Sequence, residues 1–103
     1  MTQSADSPSP RLEDCLCPSP GAVAEPAPDD LLVLDVGSGD YYSLGPVGAF
    51  VWERLDGSTP LGAIADRVAE SWSIDPERAA RDVIDFATDL VRRGLATRAL
   101  RDG

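Results

Sequence analysis

The chain contains no histidine and no lysine. Without imidazole, no Ser–His or Cys–His nucleophile pair can form within it, and no histidine can ligate a metal. Cysteine is scarce as well: Cys15 and Cys17 are the only two, separated by a single residue. A disulfide between such close neighbours in extended chain is geometrically poor. Two thiolates alone also fall short of the four ligands of a structural zinc site. No catalytic residue, metal site or cofactor is therefore assigned. Long apolar runs are missing too, since spanning a bilayer takes roughly 20 such residues. The opening Met1-Thr2-Gln3-Ser4-Ala5-Asp6 lacks a basic region followed by an apolar one. No secretory signal is visible, and the expected location is cytoplasmic.

What remains is strongly acidic. Eighteen Asp and Glu face nine Arg, for a formal charge of -9. Such a surface repels phosphate backbones, where a nucleic-acid binder places a basic stripe, and favours a basic or neutral partner. A length of 103 residues fits one domain with one modest core.

The texture changes along the chain. Residues 1–12 are polar, with Ser-Pro-Ser-Pro at 7–10, and read as a disordered tail. Residues 13–30 are irregular, with Cys15-Leu16-Cys17 and Ala22-Val23-Ala24 as candidate short edge strands among prolines. Leu31-Leu32-Val33-Leu34-Asp35-Val36 reads as a strand, Gly37-Ser38-Gly39 as a turn, and Asp40-Tyr41-Tyr42-Ser43-Leu44 as the second strand of a hairpin. Alternation sets Tyr42 and Leu44 on one face, expected to meet the core, and Tyr41 and Ser43 on the other.

Three helix starts follow. Pro46 opens a helix to about Leu55, with a stripe of Val47, Phe50, Val51 and Leu55 and with Trp52 at its flank. Thr59-Pro60 reads as an N-cap and first helical position, opening a second helix to about Ser71. Asp75-Pro76 opens the third and longest, whose stripe is Val83, Phe86, Ala87, Leu90 and Val91. Arg92 and Arg93 suit its negative end, Gly94 the position just past it, and Leu95 the return contact. The fold class is α+β: a winged helix-turn-helix-like domain in which a small antiparallel sheet of two or three strands precedes three helices. A further wing is expected at its end, before a tail over residues 98–103.

The order of these residues resembles the PqqD family. The carriers are Leu34-Asp35 with its glycine turn, Tyr41-Tyr42-Ser43-Leu44, Val47-Gly48-Ala49-Phe50-Val51-Trp52 and Leu55-Asp56-Gly57. Downstream, Ala63-Ile64-Ala65, Ile74-Asp75, Asp82-Val83, Leu90 and Gly94-Leu95 agree. The resemblance spans about residues 31–96, within a recognition domain over residues 13–97. It implies a precursor-recognition element of ribosomal peptide biosynthesis, not an enzyme, that takes up a leader peptide as an added strand against the third helix. A free-standing chain of this length looks most like those of lasso peptide pathways. The implied partners are the precursor leader peptide and a cysteine-protease-like leader peptidase or another modifying enzyme. No nucleic acid and no membrane partner are implied, and the chain is expected to be a monomer or weak homodimer.

Strand addition has its own physical logic. A hairpin strand with an unpaired edge offers N–H and C=O groups to an incoming chain, while pockets between strand and helix select side chains. The candidate edge is Tyr41, Tyr42, Ser43 and Leu44. The candidate helix wall is Asp82, Val83, Asp85, Phe86 and Asp89, its acidic trio suited to a leader carrying Lys or Arg. Two other readings compete. A winged-helix DNA-binding regulator is opposed by five acidic residues against four Arg between Asp75 and Arg93. A scaffold that pairs with a folded protein would use the same edge.

Overall fold

The computed structural model describes residues 10–99. Five strands and three helices follow in the order β1 (Leu16–Pro18), β2 (Ala22–Pro26), β3 (Leu31–Asp35), β4 (Tyr41–Leu44), α1 (Pro46–Glu53), α2 (Leu61–Trp72), α3 (Pro76–Arg92) and β5 (Ala96–Arg98). The α+β reading holds, with antiparallel strands ahead of three helices. Both candidate edge strands form. β2, β3 and β4 make one antiparallel sheet in that order, and β1 pairs with β5 in a separate two-stranded ribbon. That ribbon is the expected wing, and its two halves come from opposite ends of the chain.

The N-terminal boundary differs from the sequence reading. Residues 10–12, read as tail, are held on the start of α2: Gly62 N–H donates to the Leu12 carbonyl (2.8 Å) and Leu61 N–H to that of Asp14 (2.9 Å). Pro10 is buried there. Helix starts have orphan N–H groups, and the incoming chain supplies the acceptors. The rest of the expected tail, residues 1–9, and residues 100–103 lie outside the described residues.

The core gathers one face of each element. Ile64, Ala65 and Val68 of α2 and Ala79, Val83, Ala87 and Leu90 of α3 pack with Leu31 and Val33 of β3, Leu44 of β4 and Leu16 of β1. In α1 the stripe is rotated from the expected one: Val51 and Trp52 are buried, whereas Val47 and Phe50 are half-buried. The Arg54 guanidinium lies 3.5 Å from the Phe50 ring centre, and the Phe50 and Trp72 rings meet at right angles with centres 5.1 Å apart. The large aromatic nearest the helix interface takes the core position, and the other seals its rim. Cys15 is buried, Cys17 is half-buried beside Thr97, and both are free thiols.

Two chain reversals fix the helices. Thr59 was expected to cap α2, but its hydroxyl donates to Asp56 Oδ2 (3.0 Å), and Pro60 takes the cap position without a side-chain bond. Asp56 organises this turn by also accepting the N–H groups of Ser58 and Thr59 at 2.8 Å. A carboxylate outcompetes a hydroxyl as the local acceptor. At the end of α3, Leu95 N–H donates to Leu90 and Gly94 N–H to Val91, with Gly94 at φ 76°. This is the paired 6→1 and 5→2 pattern of a Schellman cap. It turns the chain into β5 and folds buried Leu95 back onto the helix.

Two outcomes test these reversals. Gly94→Ala places a Cβ in the left-handed region and is expected to cost about 1–2 kcal/mol in denaturant unfolding; an unchanged midpoint would contradict the cap. The Asp56 carboxyl is held below the usual carboxylate range, chiefly by the Ser58 N–H and then by Thr59. A lowered folded value means stability that is present above the unfolded value and lost as pH falls through the folded one. Asp56→Asn should therefore melt lower at neutral pH and lose less on acidification than the parent; superimposable acid limbs would contradict this.

Candidate functional site

Hydrogen-bond parity decides which backbone groups the sheet leaves open. Asp35 N–H donates to the Asp40 carbonyl (2.8 Å), so bonded and unbonded pairs alternate from there along the hairpin. Tyr42 opposite Val33 and Leu44 opposite Leu31 turn their N–H and C=O groups toward β3. Tyr41 and Ser43 turn theirs outward, onto an edge that no other strand occupies among the described residues.

The other edge of the sheet offers only one open N–H, that of Ala24. On β2 the outward positions are Ala22, Ala24 and Pro26, by parity from the Val36 N–H bond to Gly21. Ala22 N–H is bonded to Ser19, and Pro26 has no N–H to give. Proline on an edge strand blocks pairing there. The proline-rich stretch before the hairpin thus leaves β4 as the edge more open to strand addition.

Beside the open edge runs a groove of about 600 Å³ between β4 and the C-terminal half of α3. Tyr41, Tyr42, Ser43 and Leu44 form one wall, Phe86, Asp89 and Arg93 the other, and Gly45, Gly48, Leu90 and Leu95 complete the lining. Its volume lies within the roughly 300–1,000 Å³ of ligand clefts. Inside it, Leu44, Leu90 and Leu95 are buried, while Tyr42 and Phe86 are half-buried, so each of these two presents one side to the core and one to the groove.

Six of the nine residues expected at the site meet here: Tyr41, Tyr42, Ser43, Leu44, Phe86 and Asp89. Three do not. Val83 is only 1% exposed and belongs wholly to the core. Asp82 and Asp85 lie on the exposed surface outside the groove, with Asp82 beside Arg78 at 3.8 Å. The reason is length. β4 has four residues and reaches only the last two turns of α3. Asp82 sits about one turn too early, and Asp85 is rotated off the face that carries Phe86, Asp89 and Arg93.

The acidic wall expected from the sequence is accordingly neutral. Asp89 Oδ2 accepts from Arg93 Nε at 2.9 Å, and the Arg93 guanidinium lies 4.8 Å from the centre of the Tyr42 ring. Both neighbours hold its proton more firmly, Asp89 first and then Tyr42. Arg93 thereby links helix and strand across the groove lining.

Residues 30–96 match the family described as Coenzyme PQQ synthesis protein D (PqqD). The chain belongs to the PqqD family. The match runs from the start of β3 to the start of β5, so the hairpin, all three helices and the groove fall inside it. Two solved structures share the fold. One is TbiB1 in complex with the TbiA(beta) leader peptide, at 26% identity and TM-score 0.73, covering 84% of this chain and 99% of that one. The other is a lasso peptide synthetase B1 complexed with the leader peptide, at 22% identity and TM-score 0.74, covering 80% and 96%. A search of the curated proteins gave no match.

Sequence reasoning missed Gly45, Gly48, Leu90, Arg93 and Leu95 as groove residues in this PqqD-family chain. Only Gly48 carried a local signal, since glycine inside a helix weakens it and asks for a packing reason. A Cβ there would stand 3.4 Å from Leu44 Cβ and from Phe86 Cε1. Gly48→Ala should fit at ordinary contact and raise stability by about 0.5–1 kcal/mol by thermal or denaturant unfolding. Gly48→Leu should fill the groove floor while far-UV circular dichroism stays unchanged. A destabilised Gly48→Ala would contradict the packing described.

Proposed function

We propose that this PqqD-family chain binds the leader segment of a ribosomally synthesised precursor peptide and delivers it to a modifying enzyme, with a leader peptidase as the first candidate. The leader adds to β4 as a fourth strand, taking its main-chain bonds from the N–H and C=O groups of Tyr41 and Ser43. Its apolar side chains enter the groove over Leu44, Phe86 and Leu90. The single observation that carries this reading is the open β4 edge running beside that groove, in a fold shared with two B1 proteins solved with leader peptides.

Magnitudes assign the roles. Each main-chain bond contributes about 0.5–1.5 kcal/mol net and is indifferent to side chains. Exposed ion pairs add about 0–1 kcal/mol. An unstructured leader also loses conformational freedom on binding. Burial of a few apolar side chains in the groove must therefore supply most of the affinity and nearly all of the selectivity, at about 1.5–3 kcal/mol for a large one. The role proposed is binding, and the groove lining offers one carboxylate, one guanidinium, two phenols and the Ser43 hydroxyl as polar contacts for a peptide.

No helix among the described residues is long and apolar enough to cross a membrane. We place the chain in the cytoplasm, where precursor peptides are made.

The test is fluorescence anisotropy with labelled leader from the precursor encoded nearest this gene, against a scrambled peptide. Tyr42→Ala and Phe86→Ala should each weaken binding by about tenfold or more, equivalent to ~1.4 kcal/mol, with helix content retained. Ser43→Pro removes one outward N–H without touching the β3 bonds and should weaken binding of every leader sequence alike. Normal leader binding by all three folded variants would overturn the proposal.

A further inference from the structure

The polar part of the groove lining is weighted toward donors. A guanidinium presents its N–H groups in a fixed planar fork and accepts nothing. Arg93 uses one of them on Asp89, through Nε at 2.9 Å, and Asp89 is its only carboxylate partner among the described residues. A bond at Nε leaves the end-on pair of terminal nitrogens for a second carboxylate, which such a fork meets two-pronged. Asp89 Oδ2 is occupied by the same bond, and the Ser43 hydroxyl already donates to Asp30 at 2.7 Å. The Arg93 side chain is 46% exposed and lies in the groove lining, so a peptide in the groove reaches it.

Local charge runs against the bulk value at this point. The chain carries a formal -9, yet from Thr88 to Ala99 Arg92, Arg93 and Arg98 stand against Asp89 alone. Asp14 reaches this segment through Arg98 at 3.1 Å, and with it the balance is still three Arg to two carboxylates. Residues 22–44, by contrast, hold five carboxylates and no Arg. A negatively charged side chain is repelled along the sheet and finds its complement at the end of α3.

Register fixes where on a peptide that side chain sits. Tyr42 and Leu44 share one face of β4, about 7 Å apart along the strand. The Arg93 guanidinium stands at Tyr42, 4.8 Å from its ring centre. Phe86 and Gly48 stand at Leu44, where a Cβ built on Gly48 would touch both side chains at 3.4 Å. An added strand faces the groove with the same two-residue period. The sheet is antiparallel throughout, and antiparallel pairing is slightly the stronger per residue. In that direction the peptide residue opposite Leu44 comes two before the one opposite Tyr42.

We infer that Arg93, oriented by Asp89, is a specificity determinant that selects leaders with an Asp or Glu two residues after the apolar side chain seated over Leu44 and Phe86. The inference rests on the leader-binding reading and adds a charge requirement that the apolar floor does not impose.

The experiment titrates the full chain with labelled leader from the neighbouring precursor. Variant leaders change each Asp to Asn and each Glu to Gln, one at a time. One of these should bind about fivefold or more weaker, and the others within about twofold of the parent leader. The sensitive carboxylate should lie two residues after an apolar residue whose change to Ala also weakens binding. Arg93→Gln should lose the same factor with the parent leader and nothing further with the sensitive variant, so that the two losses do not multiply. Arg93→Lys should recover only part of the loss, because an ammonium keeps the charge without the fork. If Arg93→Gln lowers affinity for every leader alike, its role is structural and the inference is overturned. Coupling of Asp89→Asn to a Lys or Arg of the leader overturns it as well. If leader binds and no carboxylate is sensitive, this inference alone falls; if the parent chain binds no leader, the leader-binding reading falls and takes it along.

Discussion

A backbone amide that turns away from its own sheet must find its partner in water or in another chain. In this fold that constraint falls on Ala24 at the β2 edge and on Tyr41 and Ser43 at the β4 edge, and only the second edge runs beside a groove. β1 and β5 satisfy each other in a separate ribbon, and β2 meets solvent with a proline where a donor would stand. α1 leaves β4 almost at once through Gly45 and Pro46. α3 lies alongside at a distance that leaves a groove of about 600 Å³. The Schellman cap at Gly94 completes the arrangement by turning the chain so that both Arg93 and buried Leu95 line the groove. An open edge is an aggregation liability unless it is managed. Here it is four residues long and flanked by the acidic hairpin.

The distribution of charge separates two tasks that the bulk composition merges. A net charge of -9 invites the expectation that the peptide is held by carboxylates. At the groove wall, however, Asp89 is tied to Arg93, which leaves an apolar floor to select the peptide. Residues 22–44 carry Glu25, Asp29, Asp30, Asp35 and Asp40 and no Arg. Under the proposed function, apolar contacts read the peptide in the groove, while this uneven charge acts on encounter.

Much of this was legible in the sequence because it is local. The hairpin from Leu31 to Leu44, the starts at Pro46 and Pro76 and the end at Gly94-Leu95 follow from alternation, fixed φ and the need for a left-handed residue. What was missed depends on contacts between distant segments. Leu16 lies opposite Arg98 across the whole chain, and nothing near either residue announces it. Arg93 was legible as a favourable charge at a helix end, whereas its place over Tyr42 follows from how α3 packs on the sheet. Asp82 and Asp85 were expected at the site as part of an acidic wall for a basic leader, and the four-residue β4 leaves them outside the groove lining. Thr59 carried a strong cap signal that Asp56, three residues away, overrode.

The central claim is that a peptide completes the hydrogen bonding of β4. Amide hydrogen exchange of the β3–β4 hairpin, read residue by residue with and without saturating leader peptide, tests it most directly. Tyr42 and Leu44 already donate to β3 and should stay protected in both states. The account predicts that the Tyr41 and Ser43 amides pass from fast to slow exchange when the leader binds. Protection at Phe86 and Asp89 with Tyr41 and Ser43 still exchanging fast would contradict it, since the peptide would then occupy the groove without adding to the sheet.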